Sequence, residues 1–177
     1  SGKMPPLVRL DWTEDFGAFA VTRTTVPGVN GADWSRTIFW KKGRCFLVAD
    51  ALCLRREADY DLRCLWRVLG TPTLRGEGLA VEQEGVAFHI QNADGSVKTL
   101  AAEPRRIAGH DPWASYPHAR GGIHVLSERL QMHGNPGEVV RFFNLLSVGS
   151  SEGRAEVEAS RAGPEAVRAS DRGEAVV

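Results

Sequence analysis

The chain has 177 residues, 42% of them hydrophobic, which is enough for one sizeable core and too few for two large domains, so a single domain over 1–177 is expected. Its formal net charge is zero and its pI is about 6.9. That balance excludes an electrostatic case for nucleic acid and leaves room only for local arginine clusters acting on acidic ligands. No apolar run is long enough to cross a bilayer as a helix, so no membrane span is expected. The first residues also lack the basic start and apolar core of a signal peptide.

Along the chain the periodicity is that of strands. Val8 to Leu10 and Phe16 to Thr25 read as strands around a turn at Thr13-Glu14-Asp15. The segment VPGVNGAD then reads as a loop. Trp34 to Asp50, WSRTIFWKKGRCFLVAD, reads as two long strands joined at Lys41-Lys42-Gly43-Arg44, where Gly43 supplies the positive φ of a tight turn. Both faces of this hairpin are apolar near its centre, which predicts a sheet covered on both sides. The run RREAD separates it from YDLRCLWRVL. There Tyr60, Leu62, Cys64, Trp66 and Val68 share one face, and Asp61, Arg63, Leu65 and Arg67 the other.

Leu79 to Glu82 and Val86 to Gln91 form a second hairpin pattern, with Val86, Phe88 and Ile90 inward and His89 and Gln91 outward. A weaker strand follows through Val97 to Leu100. Residues 103–122, rich in proline and glycine, are expected to be a long irregular loop, the kind of segment that often carries function. Ile123 to Met132 and Val139 to Val148 are two further strands, and 149–177 is a tail of weakly patterned ones. The expected fold is an all-β antiparallel β-sandwich with little or no helix.

The segments LDWTEDFGAFAVTRT, WSRTIFWKKGRCFLVAD, YDLRCLWRVLG and VVRFFNLL, in that order and spacing, resemble the C-terminal β-rich part of heparinase II/III-like proteins. These are bacterial polysaccharide lyases acting by β-elimination on uronic-acid polysaccharides. The most telling element is the aliphatic strand that closes on Asp50. The resemblance implies a β-sandwich that follows an N-terminal helical toroid domain, an acidic, uronate-containing polysaccharide as partner, and a periplasmic or secreted parent protein of bacterial origin. It places the family's catalytic Tyr, His and carboxylate-neutralising residues, and the His and Asp ligands of its zinc, upstream of Ser1. No catalytic or metal residue of the family is therefore carried over onto this chain. No cofactor is expected here, zinc belonging to the upstream part of the β domain, and the chain alone is expected to be inactive.

From the residues themselves, HDPWASYPHARGGIH offers His118, His124, Tyr116 and Arg120 as candidate acid, base and carboxylate-neutralising groups for elimination. The plainer reading is a solvated loop. Trp12, Trp34, Trp40, Trp66 and Trp113 could stack on sugar rings, and Trp40 and Trp66 read more simply as core. Trp113 in the loop, with Arg63 and Arg67 as carboxylate forks, makes the carbohydrate-binding candidate set. Cys45, Cys53 and Cys64 match no metal spacing and read as buried small hydrophobes. Alternatives to a lyase portion are a free-standing carbohydrate-binding module and a non-catalytic interaction domain.

Overall fold

The computed structural model describes residues 7–69, 72–75, 78–83, 85–93, 99–105, 123–150, 157–163, 166–171 and 174–175. Among them there is no helix, and none therefore that could cross a membrane. Strands β1 (Arg9–Asp15), β2 (Phe19–Val29), β3 (Ala32–Lys41) and β4 (Cys45–Leu54) form a meander. After them come β5 (Ala58–Val68), β6 (Pro72–Arg75), β7 (Gly78–Gln83), β8 (Val86–Asn92), β9 (Thr99–Arg105), β10 (Ile123–Gly134) and β11 (Val139–Ser150). The tail carries β12 (Val157–Gly163), β13 (Ala166–Asp171) and β14 (Glu174–Ala175). All pairings are antiparallel: an eight-stranded sheet β1-β2-β3-β4-β11-β8-β7-β6, a three-stranded sheet β5-β10-β9, and a small sheet β12-β13-β14.

Turn chemistry explains where strands start and stop. The β1–β2 turn lies at Asp15-Phe16-Gly17-Ala18, later than expected. There the Asp15 carboxylate accepts from the Gly17 amide at 2.8 Å and from Lys42 Nζ at 2.7 Å, and Gly17 takes a positive φ. The expected loop VPGVNGAD is instead strand with a bulge at Pro27-Gly28, closed by Asn30-Gly31. Both turn residues have positive φ, 50° and 90°, which suits the right-handed twist of a tight hairpin. The Lys41 to Arg44 turn falls where the sequence put it, while the separation expected over Arg55 to Asp59 is shorter, Arg55-Arg56-Glu57, because β5 already begins at Ala58. Strand β6 had no sequence signal. Strand β9 runs through Pro104 to Arg105, taking in the first positions of the expected irregular loop. Proline is tolerated there because β9 is an edge strand.

The two larger sheets pack face to face, and the core lies where β5 and β10 cover β4, β11, β8 and β7. One cluster joins Leu62, Cys64, Val140 and Phe142; another joins Val68, Leu79, Val81, Ile90 and Leu126. Trp66 packs against both. The opposite face of the large sheet is also covered at its centre, with Leu47, Phe143, Leu145 and Ser147 buried. His89, expected to face outward, shares that face and is only 8% exposed, so its outward assignment is corrected.

An eight-stranded sheet is wider than a three-stranded one can roof. Neither described core cluster includes a residue of β1, β2 or β3. Trp40, expected in the core, is 39% exposed and stacks on Phe46 at 5.5 Å instead. Its position next to the Gly43 turn puts it at the wet end of the hairpin.

Candidate functional site

Strand β5 is the edge of the narrow sheet, and the wide sheet continues beyond it. The step leaves a groove of about 640 Å³. Its floor is Trp34 and Arg36 of β3 with Asp50 and Leu52 of β4, which the β3–β4 register sets in opposed pairs, Trp34 with Leu52 and Arg36 with Asp50. One side is β5 from Ala58 to Leu65, and Arg67. The Asn30 turn and Arg56 close one end, and the Arg56 guanidinium lies so close over Gly31 that any side chain there would collide with it.

In the floor sits a charge cluster. Asp50 accepts from Arg36 through two parallel bonds of 2.8 Å and from the Trp34 indole N–H at 2.7 Å. The Asp50 side chain is 3% exposed and that of Arg36 30%. The bidentate carboxylate raises the Arg36 pKa against the opposing effect of burial. The guanidinium is also held between two indoles, 5.1 Å from the Trp34 ring and 5.4 Å from that of Trp66. From Asp50 the polar contacts run into the core. The Cys64 thiol lies 3.8 Å from Asp50 Oδ2, and the Asn144 amide donates to Cys64 Sγ at 3.8 Å and to Glu128 Oε2 at 3.1 Å. Burial, then the Glu128 and Asp50 charges, push the Cys64 pKa far up, so the thiol stays protonated and is no nucleophile.

Above the floor the rim carries Arg56, Arg63 and Arg67 against Asp59 and Asp61. Arg63 and Arg129 both grip Asp61, at 2.6 Å each, and hold that carboxyl far below the usual range, Arg129 contributing most. Arg56 and Arg67, by contrast, have no acidic partner among the described residues. At the end of the β5–β10 ladder His133 Nδ1 lies 2.9 Å from Asp59 and Nε2 3.5 Å from Glu57. The hydrogen bond to Asp59, first among several acidic influences, raises the His133 pKa above its ordinary value of 6.5. The sign follows from linkage: the contribution to stability is full below the unfolded pKa and is lost as pH rises through the folded one. A proton NMR titration should place this histidine above 6.5, and Asp59→Asn should move it back toward that value. An unmoved midpoint in that variant would refute the pairing.

Of the residues singled out from sequence, Arg63 and Arg67 lie together on the rim, on the face of β5 away from the core. His124 stands opposite Val68 at the other end of the ladder and does not line the groove. Trp113, Tyr116, His118 and Arg120 lie outside the described residues. Cys45 and Cys64 are buried and all three cysteines are free thiols. Among the described residues no three His, Cys, Asp or Glu side chains are grouped to hold a metal ion. The Trp34–Arg36–Asp50 cluster was missed. Its signal was an aspartate on the apolar face of a strand, in register with an arginine across the hairpin.

No family model matches the sequence, and no curated protein matches it. Solved structures do. The heparan sulfate lyase HepC from Pedobacter heparinus superposes with a TM-score of 0.71 at 14% identity, covering 95% of this chain and 27% of that one. A heparinase III gives 0.72 at 12% identity, covering 95% of this chain and 26% of that one. A further heparinase III structure gives 0.67 at 17% identity with the same two shares. The likeness read from the sequence thus holds at the level of the fold, and the chain spans 27% or less of the length of these three proteins.

Proposed function

We propose that this chain is the β-sandwich portion of a polysaccharide lyase of the heparinase type. In this reading it supports the catalytic part and contacts an acidic, uronate-containing glycan without supplying catalytic residues. The observation that carries the reading is the shared fold over 95% of the chain with a heparan sulfate lyase. The rim cations Arg63 and Arg67 support it, because guanidinium forks match carboxylate and sulfate groups. Catalysis would reside in a helical toroid domain of the parent protein, which would be bacterial and periplasmic or secreted, degrading polysaccharide outside the cytoplasm.

Elimination leaves an unsaturated uronate that absorbs in the ultraviolet. The chain alone, incubated with heparan sulfate, should give no rise in absorbance. It should still be retained on immobilised heparan sulfate at low salt, and Arg63→Ala with Arg67→Ala should weaken that retention. A rise in absorbance that His118→Ala abolishes would overturn the non-catalytic reading, and loss-free binding by the double variant would remove the arginines from it.

A further inference from the structure

The cleft side formed by β5 has an unusual composition: Ala58 to Leu65 line it without interruption, so residues of both faces of the strand border the same space. Successive strand side chains point to opposite faces, and only the edge of a strand presents every residue to one cavity. What faces the groove is therefore the backbone edge of β5. Its other edge is fully paired with β10 from Ala58 to Val68, and β5 has no second strand partner among the described residues. An edge of this length would ordinarily be shielded by proline, a bulge, a short strand or charged side chains; β5 has neither proline nor a register shift against β10, and its only such device is the charged set Asp59, Asp61, Arg63 and Arg67.

We infer that the groove is a strand-acceptor site: an extended acidic polypeptide segment adds to the free edge of β5 as a further antiparallel or parallel strand of the narrow sheet. The floor sets the side-chain pattern of the occupant. Its inward residues would rest on Trp34 and Leu52, which asks for apolar side chains at alternate positions. Its outward residues would stand beside Arg67 and, at the closed end, Arg56. These are the two rim cations with no acidic partner among the described residues, which asks for carboxylates. The added strand would also extend the narrow sheet over the part of the wide sheet that β5 leaves uncovered. This reading shares Arg67 with the glycan contact proposed above, so with the groove filled only Arg63 of that pair would remain to a glycan.

The probe is a capped ten-residue peptide alternating valine and glutamate, with two N-methylated forms, one methylated on the valine amides and one on the glutamate amides. The unmodified peptide should bind the intact chain and slow hydrogen exchange at alternate amides of β5 by about tenfold, equivalent to about 1.4 kcal/mol. One methylated form should lose binding and the other keep it, because only one set of amides faces β5. Arg56→Glu with Arg67→Glu should weaken the peptide and leave the fold intact. Equal binding by both methylated forms, or protection falling elsewhere than β5, would overturn the proposal. So would protection of the same amides by a heparan sulfate oligosaccharide alone, or by raised protein concentration alone, which would give the groove to a glycan or to a second copy.

Discussion

Asp50→Ala is expected to lower stability by about 3 kcal/mol, near the lower end of what removing one partner of a buried ion pair costs. The loss comes chiefly from what the carboxylate leaves behind. Arg36 would remain two-thirds enclosed between Trp34 and Trp66 with no counter-charge, and the Trp34 N–H would lose its acceptor. The 30% exposure of the Arg36 side chain lets water recover part of the loss, which is why the upper end is not expected. Arg36→Met combined with Asp50→Leu should recover most of the stability, because two apolar groups of similar size leave no charge buried. The measurement is the urea midpoint at unchanged slope. A double variant no more stable than Asp50→Ala would show that the pair is needed for more than mutual neutralisation.

Trp66→Ala is expected to cost more, about 3–5 kcal/mol, since its ring packs against both core clusters and its loss would open a cavity between them. For a domain of ordinary stability that is enough to leave much of it unfolded. The Trp66 indole N–H is buried with no acceptor among the described residues, so Trp66→Phe removes an uncompensated donor and should cost far less. Trp40→Ala serves as the control: that ring is part-exposed beside Phe46, and its loss should be much smaller. Comparable midpoint shifts for Trp40→Ala and Trp66→Ala would contradict the division between core and open shelf.

Local signals in the sequence were reliable where the physics is local. The Gly43 hairpin, the alternation of Tyr60 to Val68 and the paired apolar faces of β11 could all be read directly, because turn dihedrals and side-chain direction depend on neighbours along the chain. Asn30-Gly31 is the strongest two-residue hairpin signal in the chain, and it was masked by Pro27 and Gly28 just before it, which belong to a bulge. What no local pattern encodes is which strands meet. The pairing of β4 with β11 and of β5 with β10 decides that Trp66 is packed, partly buried, against the core, that Trp40 is not, and that Asp50 faces Cys64. The groove is likewise a property of unequal sheet widths, and strand count per sheet follows from topology, not from periodicity.

That same pairing governs how the chain reaches its fold. β1 to β4 zip as consecutive hairpins, but Asp50 finds Phe142 and Trp66 finds Leu126 only after the long intervening segments have closed. Loop-closure entropy must be met before those contacts contribute, which puts the domain among slow, high-contact-order folders. During synthesis β1 to β4, with an apolar face and the β4 edge still open, would emerge long before β11 exists to pair with that edge. The hairpin-end charges Lys41, Lys42 and Arg44 then act as gatekeepers for a nascent chain, keeping it from sticking to its neighbours while it waits for its last long strand.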